Sequence, residues 1–155
     1  MRKHLLVAVV VVAAIASMGV SAATAGAPAA ASGTNSFGND FTFSRATGGF
    51  AEFCTAGNPG VLTGTFSGTT VFVGCVRSYS DGSRKYNGLL TFTGSVAGCG
   101  SGTVVFQGGG AGAPDGTITR DANVAIGGTL GVEAKIGMVG NLNAASILYS
   151  GSYSC

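Results

Sequence analysis

The sequence predicts an all-β fold: a small antiparallel up-and-down β-barrel of about eight strands, stapled by disulfides, with a β-sandwich as the alternative. Short strand-like runs separated by glycine-bearing turns follow one another from Phe50 onward. Beyond the apolar N-terminal segment, no stretch has the three-to-four-residue apolar spacing of an amphipathic helix. Four cysteines, an even number, are typical of a disulfide-linked exported domain.

The N-terminus has the pattern of a secretion signal. Residues 2–4 are basic, Leu5 to Ile15 form an unbroken apolar run, and small residues follow. A membrane anchor is the alternative, but serine and glycine interrupt the run before it reaches the roughly 20 apolar residues that a spanning helix needs. We therefore expect cleavage near Ala22/Ala23, a secreted extracellular protein, and no membrane association after cleavage.

The rest of the chain divides into a leader and a domain. Residues 1–22 are the predicted signal peptide, and residues 23–36 contain only small, polar or flexible side chains, which predicts a flexible leader. Aromatic residues begin at Phe37, so we expect residues 37–155 to form the barrel domain.

Signal cleavage changes the charge of the chain. It removes Arg2, Lys3 and the single histidine, His4, and leaves six basic and six acidic residues. A nucleic-acid partner is not expected, because such binding needs a dense basic face. Serine and cysteine triads are disfavoured, because they need a positioned base that is usually histidine. The composition therefore favours a protein that is not an enzyme.

The clearest local pattern is a hairpin. Thr70 to Tyr79 and Tyr86 to Val96 are strand-like, and Asp81-Gly82 lies between them. On the second strand Leu90, Phe92 and Val96 share one face, which we expect to be buried.

The remaining strands and turns follow from the same signals. Further strands are predicted at Phe50–Cys54, Val61–Phe66, Thr103–Gln107, Thr117–Ile126, Leu130–Met138 and Ser146–Ser154. Glycine-bearing turns are predicted at Asn58–Gly60, Ser67–Gly68, Gly98–Gly102, Gly108–Gly112 and Gly127–Gly128.

The cysteines are expected to form two disulfides, for which three pairings are possible. With strands running up and down in order, Cys99 and Cys155 fall at one end of the barrel, and Cys54 and Cys75 nearer the other. We prefer the pairs Cys54–Cys75 and Cys99–Cys155. The wide spacing of the cysteines and the loss of the histidine argue against a metal site.

Two carboxylates are weak candidates for a functional role. Glu52 and Glu133 each lie within a strand-like run, and burial in a lumen would raise the pKa of either one. Asp121-Ala122-Asn123 offers too few oxygens for calcium. No cofactor and no metal are expected.

The segments Tyr86–Val96 and Gly98–Phe106 resemble the central strands of the allene oxide cyclase-like barrel families. These include plant allene oxide cyclases, dirigent proteins and small bacterial proteins of unknown function. Gly127–Gly131 and Tyr149–Tyr153 are similar to the late part of that pattern, so the resemblance covers roughly residues 61–155. It implies an eight-stranded antiparallel barrel with a small apolar molecule in its lumen, and it assigns no catalytic residue.

A second resemblance, to avidin-like barrels, is carried by Leu62–Phe66 and again by Tyr149–Tyr153. The avidin-like ligand pocket depends on tryptophan, which this chain lacks, so biotin is not an expected ligand. The expected partner is a small apolar molecule or another surface protein. A lumenal cyclase or isomerase and a structural surface protein are the alternatives.

Overall fold

The computed structural model describes residues 26–155, in which the predicted alternation produces nine β-strands. The predicted signal peptide, residues 1–22, lies outside the described residues. Over the described range there is no helix long and apolar enough to cross a membrane. The strands are β1 (Ala29–Phe37), β2 (Thr42–Thr47), β3 (Phe50–Gly64), β4 (Phe66–Tyr79), β5 (Arg84–Val96), β6 (Gly100–Gly112), β7 (Ile118–Gly127), β8 (Glu133–Val139) and β9 (Ser146–Ser154).

The strands form a closed antiparallel barrel, which confirms the predicted all-β barrel over the sandwich. Consecutive strands from β3 to β9 pair with one another. The first strand, β1, pairs with β9 on one side and with β3 on the other, and this double pairing closes the sheet. The predicted hairpin is also present, because Ser78 pairs with Arg84 across the Asp81-Gly82 turn.

The ninth strand is an addition to the eight of the barrel. Strand β3 pairs with β1 through Gly60–Gly64 and with β2 through Phe50–Cys54. Therefore β1 and β2 lie end to end along the same edge of β3. The turn between them is held by Asn58, whose Oδ1 accepts a hydrogen bond from the Asp40 amide at 2.9 Å.

The prediction of a flexible leader at residues 23–36 is wrong over most of its length, since Ala29–Phe37 form β1. The small side chains that suggested flexibility are required by packing. Ala31 is 2% exposed, and a Cβ at Gly33 would collide with the Thr63 carbonyl and the Tyr149 ring. The barrel domain therefore begins at Ala29.

Three predicted turns are also wrong. Ser67–Gly68 lies inside β4, where both residues pair with β5. Asn58–Gly60 lies inside β3, where a bulge between Thr55 and Asn58 takes up the irregularity, and bulges accommodate proline and glycine within strands. Gly108–Gly112 belongs to β6 and is paired with β5 over its whole length. Glycine in this chain therefore marks strand interiors as well as turns.

The core fills one end of the barrel around Phe66. This ring is fully buried and lies 5.5 to 6.1 Å from four other aromatic rings, those of Phe92, Phe106, Tyr149 and Tyr153. The Tyr149 hydroxyl accepts a hydrogen bond from the Phe66 amide at 3.0 Å and donates one to the Thr63 carbonyl at 2.9 Å. As predicted, Leu90, Phe92 and Val96 are buried on one face of β5.

Inward-facing glycines form two rows across the sheet. One row joins Gly68, Gly94 and Gly102 from three neighbouring strands, and the other joins Gly74, Gly88 and Gly108. A Cβ at Gly68 or Gly74 would collide with the backbone of β5. Phe92 packs against Gly94, and Phe72 packs against Gly74 and Gly88. These rows allow close strand approach and make space for aromatic rings.

The two disulfides join the pairs that the sequence favoured, Cys54–Cys75 and Cys99–Cys155. Cys54 and Cys75 are direct partners in the β3–β4 ladder. Cys99 packs against the core, so its bond fixes the C-terminus at the packed end of the barrel.

We expect Phe66→Ala to lower the free energy of unfolding by about 3–5 kcal/mol, because it empties the centre of the aromatic cluster. Denaturant titration with both disulfides intact measures this loss. Phe43→Ala is the matched control, since Phe43 on β2 is 61% exposed and its removal should cost little. Equal losses in the two variants would contradict the central role of Phe66.

Candidate functional site

The end of the barrel away from the aromatic cluster contains a cavity of about 750 Å³. It lies beneath the β4–β5 hairpin, the β1–β2 connection and the β8–β9 connection. Its wall combines aromatic and aliphatic side chains with a small polar group: Asn35, Asn58, Thr70, Tyr86, Asp121 and Asn123.

Glycine on β6 creates much of this space. Tyr86, Gly110 and Asp121 lie in one row across β5, β6 and β7. Because Gly110 has no side chain, Tyr86 reaches over β6 and donates its hydroxyl proton to Asp121 Oδ1 at 2.9 Å. In the next row, Gly108 gives the same room to Asn123.

Asp121 is the centre of the polar group. In addition to the Tyr86 bond, its Oδ2 accepts hydrogen bonds from Asn123 Nδ2 at 2.6 Å and from the Met138 amide at 2.7 Å. Burial raises the pKa of the Asp121 carboxyl, while the three donors act in the opposite direction. Burial and the neighbouring carboxylate also raise the pKa of the Tyr86 hydroxyl.

The hydrogen bond from the Met138 amide lies beside a short backbone ladder, that between β7 and β8. Strands β7 and β8 pair directly only through Asn123–Ile136 and Val124–Lys135. Beyond Asp121 and Met138 the chain pairs again, through the Thr117–Asn141 bridge. The Asp121 carboxylate therefore accepts the hydrogen bond that the Met138 amide would otherwise donate to a backbone carbonyl of β7. This side-chain bond holds the cavity wall together at the β7–β8 seam.

One cavity group has an unused acceptor. Asn35 on β1 is 7% exposed, and its Nδ2 contacts the Met138 sulfur at 3.7 Å. Its Oδ1 is the one buried side-chain oxygen or nitrogen in the described part of the chain that lacks a hydrogen-bond partner. Buried acceptors are rarely left unpaired, because the unmade hydrogen bond costs about 1–3 kcal/mol.

Glu52, the first sequence candidate, does not line the cavity. Phe53 and Val76 face the cavity, so the alternating residue Glu52 faces outward. Its carboxylate is bonded to Arg45 Nε at 2.9 Å and to Arg77 Nε at 2.6 Å. The Arg77 hydrogen bond is the main reason that the pKa of Glu52 is lowered. The expected lumenal carboxyl with a raised pKa is therefore not Glu52.

Glu133, the second candidate, is exposed at the start of β8 and faces away from the lumen, since its neighbour Ala134 is in the core.

The carboxylate of Glu52 lies within 4.8 Å of the sulfurs of Cys54 and Cys75. Those sulfurs are bonded to each other and do not offer the thiolates that a metal requires.

Asp121 and Tyr86 are the groups that sequence reasoning missed as site residues. In the sequence, Asp121-Ala122-Asn123 indicates only a calcium site with too few oxygens. Alternation along β7 places Asp121 and Asn123 on one face, but the other face carries Val124 and Ile126. That apolar face is the outer one, with Val124 45% and Ile126 56% exposed. Identifying the polar face of β7 as the inner one requires knowing that Gly108 and Gly110 of β6 lie beside it.

No model of a known protein family matches this chain, and no curated protein is significantly similar to it.

We expect Gly110→Ala to destabilise the protein by about 1–3 kcal/mol, because the added methyl group would collide with the Tyr86 hydroxyl and the Arg120 carbonyl. Gly127→Ala on β7 is the control, since open space surrounds that position. Thermal unfolding of both variants measures the difference. A neutral Gly110→Ala would show that Tyr86 does not need this gap.

We expect Glu52→Gln to lower the melting temperature at neutral pH. A lowered folded-state pKa means that ionised Glu52 stabilises the fold above its ordinary pKa of 4.5 and loses this effect as the pH falls through the folded value. The difference from the wild type should therefore shrink in acid. Glu133→Gln is the matched control, because Glu133 has no ion pair within residues 26–155. A difference that grows in acid would contradict the assignment.

Proposed function

We propose that the protein is a secreted β-barrel that binds a small, mainly apolar molecule in its lumen and does not transform it. The observation that carries this proposal is the combination of a packed end with an open end. The aromatic cluster around Phe66 already provides a core, so the cavity of about 750 Å³ is not needed as space for packing.

The character of the cavity supports a ligand site. Ligand sites usually enclose about 300–1,000 Å³ and combine apolar walls with a few fixed polar groups. Here Asp121 is fixed by three hydrogen bonds, and Asn35 retains an unused acceptor. A ligand that donates a hydrogen bond to Asn35 would remove the cost of that unpaired oxygen.

Secretion is supported by the signal-like N-terminus and by the two disulfides, which persist in oxidising compartments. The resemblance to the allene oxide cyclase-like barrels supports a lumenal ligand. We propose that the chain belongs to that group of barrels.

A lumenal cyclase or isomerase is the second candidate, and Asp121 is the observation that favours it. A carboxyl whose pKa is raised by burial, with a tyrosine hydroxyl at 2.9 Å, is a candidate for exchanging a proton with a substrate. A ligand recovered chemically changed after incubation would favour this enzyme.

We expect the neutral fluorescent probe N-phenyl-1-naphthylamine to bind the wild-type protein. Ser78 lines the cavity, so Ser78→Phe should fill the lumen and weaken binding about tenfold or more. Ser150→Phe is the matched control, because Ser150 on β9 is exposed beside inward-facing Tyr149. Fluorescence titration measures both variants, and circular dichroism verifies their folding.

Equal loss of binding in both variants, or no binding to the wild type, would count against a lumenal ligand site. Native mass spectrometry of protein collected from its secretion medium is an independent test, because a ligand retained at one per chain would reveal its mass.

A further inference from the structure

The cavity contains a carboxylate without a cation. All salt bridges within residues 26–155 are formed by Glu52, so Asp121 has no ionic partner there. Its three hydrogen-bond donors are a tyrosine hydroxyl, an amide side chain and a backbone amide, none of which carries a charge. Asp121 is partly buried, and carboxylates withdrawn from water are normally paired, because transfer of an isolated charge out of water is costly.

The carboxylate can also accept another hydrogen bond. An ionised carboxylate has about four acceptor positions, and Asp121 uses one on Oδ1 and two on Oδ2. The second free acceptor, Asn35 Oδ1, belongs to the lining of the same cavity. Asn35 contacts the sulfur of Met138, and Asp121 accepts from the backbone amide of the same residue. A ligand that reaches this wall therefore meets acceptors in need of donors.

The rest of the wall suits the same kind of ligand. Aromatic side chains make up much of the cavity lining: Phe37, Phe41, Phe53, Phe72 and Tyr86. The faces of aromatic rings attract cations, and an ammonium group over such a ring gains about 0.5–2 kcal/mol. Aromatic walls beside a single carboxylate are a suitable environment for an organic cation.

We infer that the molecule bound in the lumen is an organic amine, whose ammonium group pairs with Asp121 and donates to Asn35 while its apolar body lies among the aromatic rings. This inference rests on the proposed lumenal binding and specifies the class of ligand. The bound ammonium would stabilise the ionised form of Asp121 and so oppose the effect of burial on its pKa.

Arg84 is the one cation that lines the cavity, and it lies at the hairpin end. Its Nη1 donates to Asn143 Oδ1 at 3.1 Å, and the residue is partly exposed. Solvent therefore screens its charge from the lumen. Its position leaves room for an amine at Asp121.

The test compares three probes with one skeleton on the full secreted protein: 4-phenylbutylamine, 4-phenylbutan-1-ol and 4-phenylbutanoate. Isothermal titration calorimetry at neutral pH should give the amine an affinity about tenfold or more above that of the alcohol. The carboxylate should bind most weakly, because it would face Asp121.

Two variants locate the preference. Asp121→Asn should remove the advantage of the amine over the alcohol and leave binding of the alcohol nearly unchanged. Asn35→Leu has a similar size and removes the unpaired acceptor together with only the long contact to the Met138 sulfur, so it should fold even where Asp121→Asn does not. It should weaken the amine several-fold more than the alcohol. Glu52→Gln, on the outer face, should leave the ratio of the two affinities unchanged.

The outcomes separate this inference from the proposed function. Alcohol and amine binding with equal affinity, or tighter binding of the carboxylate, would overturn the amine inference while lumenal binding stands. Binding of N-phenyl-1-naphthylamine without binding of any phenylbutyl probe would also overturn it. Failure of all four compounds would overturn the proposed function itself. An amine preference that survives in Asp121→Asn would contradict the role of that carboxylate.

Discussion

The close approach of neighbouring strands at inward-facing glycines is the constraint on which the rest of the structure depends. At Gly68 and Gly74 the backbone of β5 occupies the place where a Cβ would lie. Such contacts let a sheet coil tightly, and they leave shallow areas on which rings can pack. At one end of the barrel Phe92 uses this room and the core is filled. At the other end Phe72 and Tyr86 use only part of it, and a cavity remains. The positions of the glycines thus help to determine where the barrel is packed and where it contains a cavity.

The sequence was informative where side chains alternate and where turns have specific chemistry. The Asp81-Gly82 hairpin, the buried face of β5 and the barrel itself were all predictable from local patterns. Strand β1 was not, because its small residues look unstructured in isolation and acquire their purpose only beside Tyr149. Gly108–Gly112 was mistaken for a turn for a related reason: glycine in a strand interior is explained by what lies across from it, and a single sequence does not contain that information.

The acidic residues show the same limit. Glu52 lies in a more apolar run than Asp121 does, yet Glu52 faces two arginines on the outer wall and Asp121 faces the lumen. The inner face of β7 is its polar face, because the neighbouring glycines leave room for Tyr86, whose hydrogen bond helps to stabilise the partly buried Asp121 carboxylate. Hydrophobic alternation identifies the core of a filled barrel and fails where the barrel is hollow. The two environments shift the pKa values in opposite directions: arginine hydrogen bonds lower the pKa of Glu52, and burial raises the pKa of Asp121.

The short β7–β8 ladder has a consequence for motion. Two backbone pairs and one side-chain bond join these strands at the cavity, whereas the β4–β5 and β5–β6 ladders are paired over their full length. Local opening follows the least-bonded part of a structure. We therefore expect amide hydrogens beside the cavity at the β7–β8 seam to exchange with solvent earlier than those in the fully paired β4–β5 and β5–β6 ladders. The two disulfides, one at the packed end of the barrel and one between β3 and β4, do not join β7 to β8 across this seam.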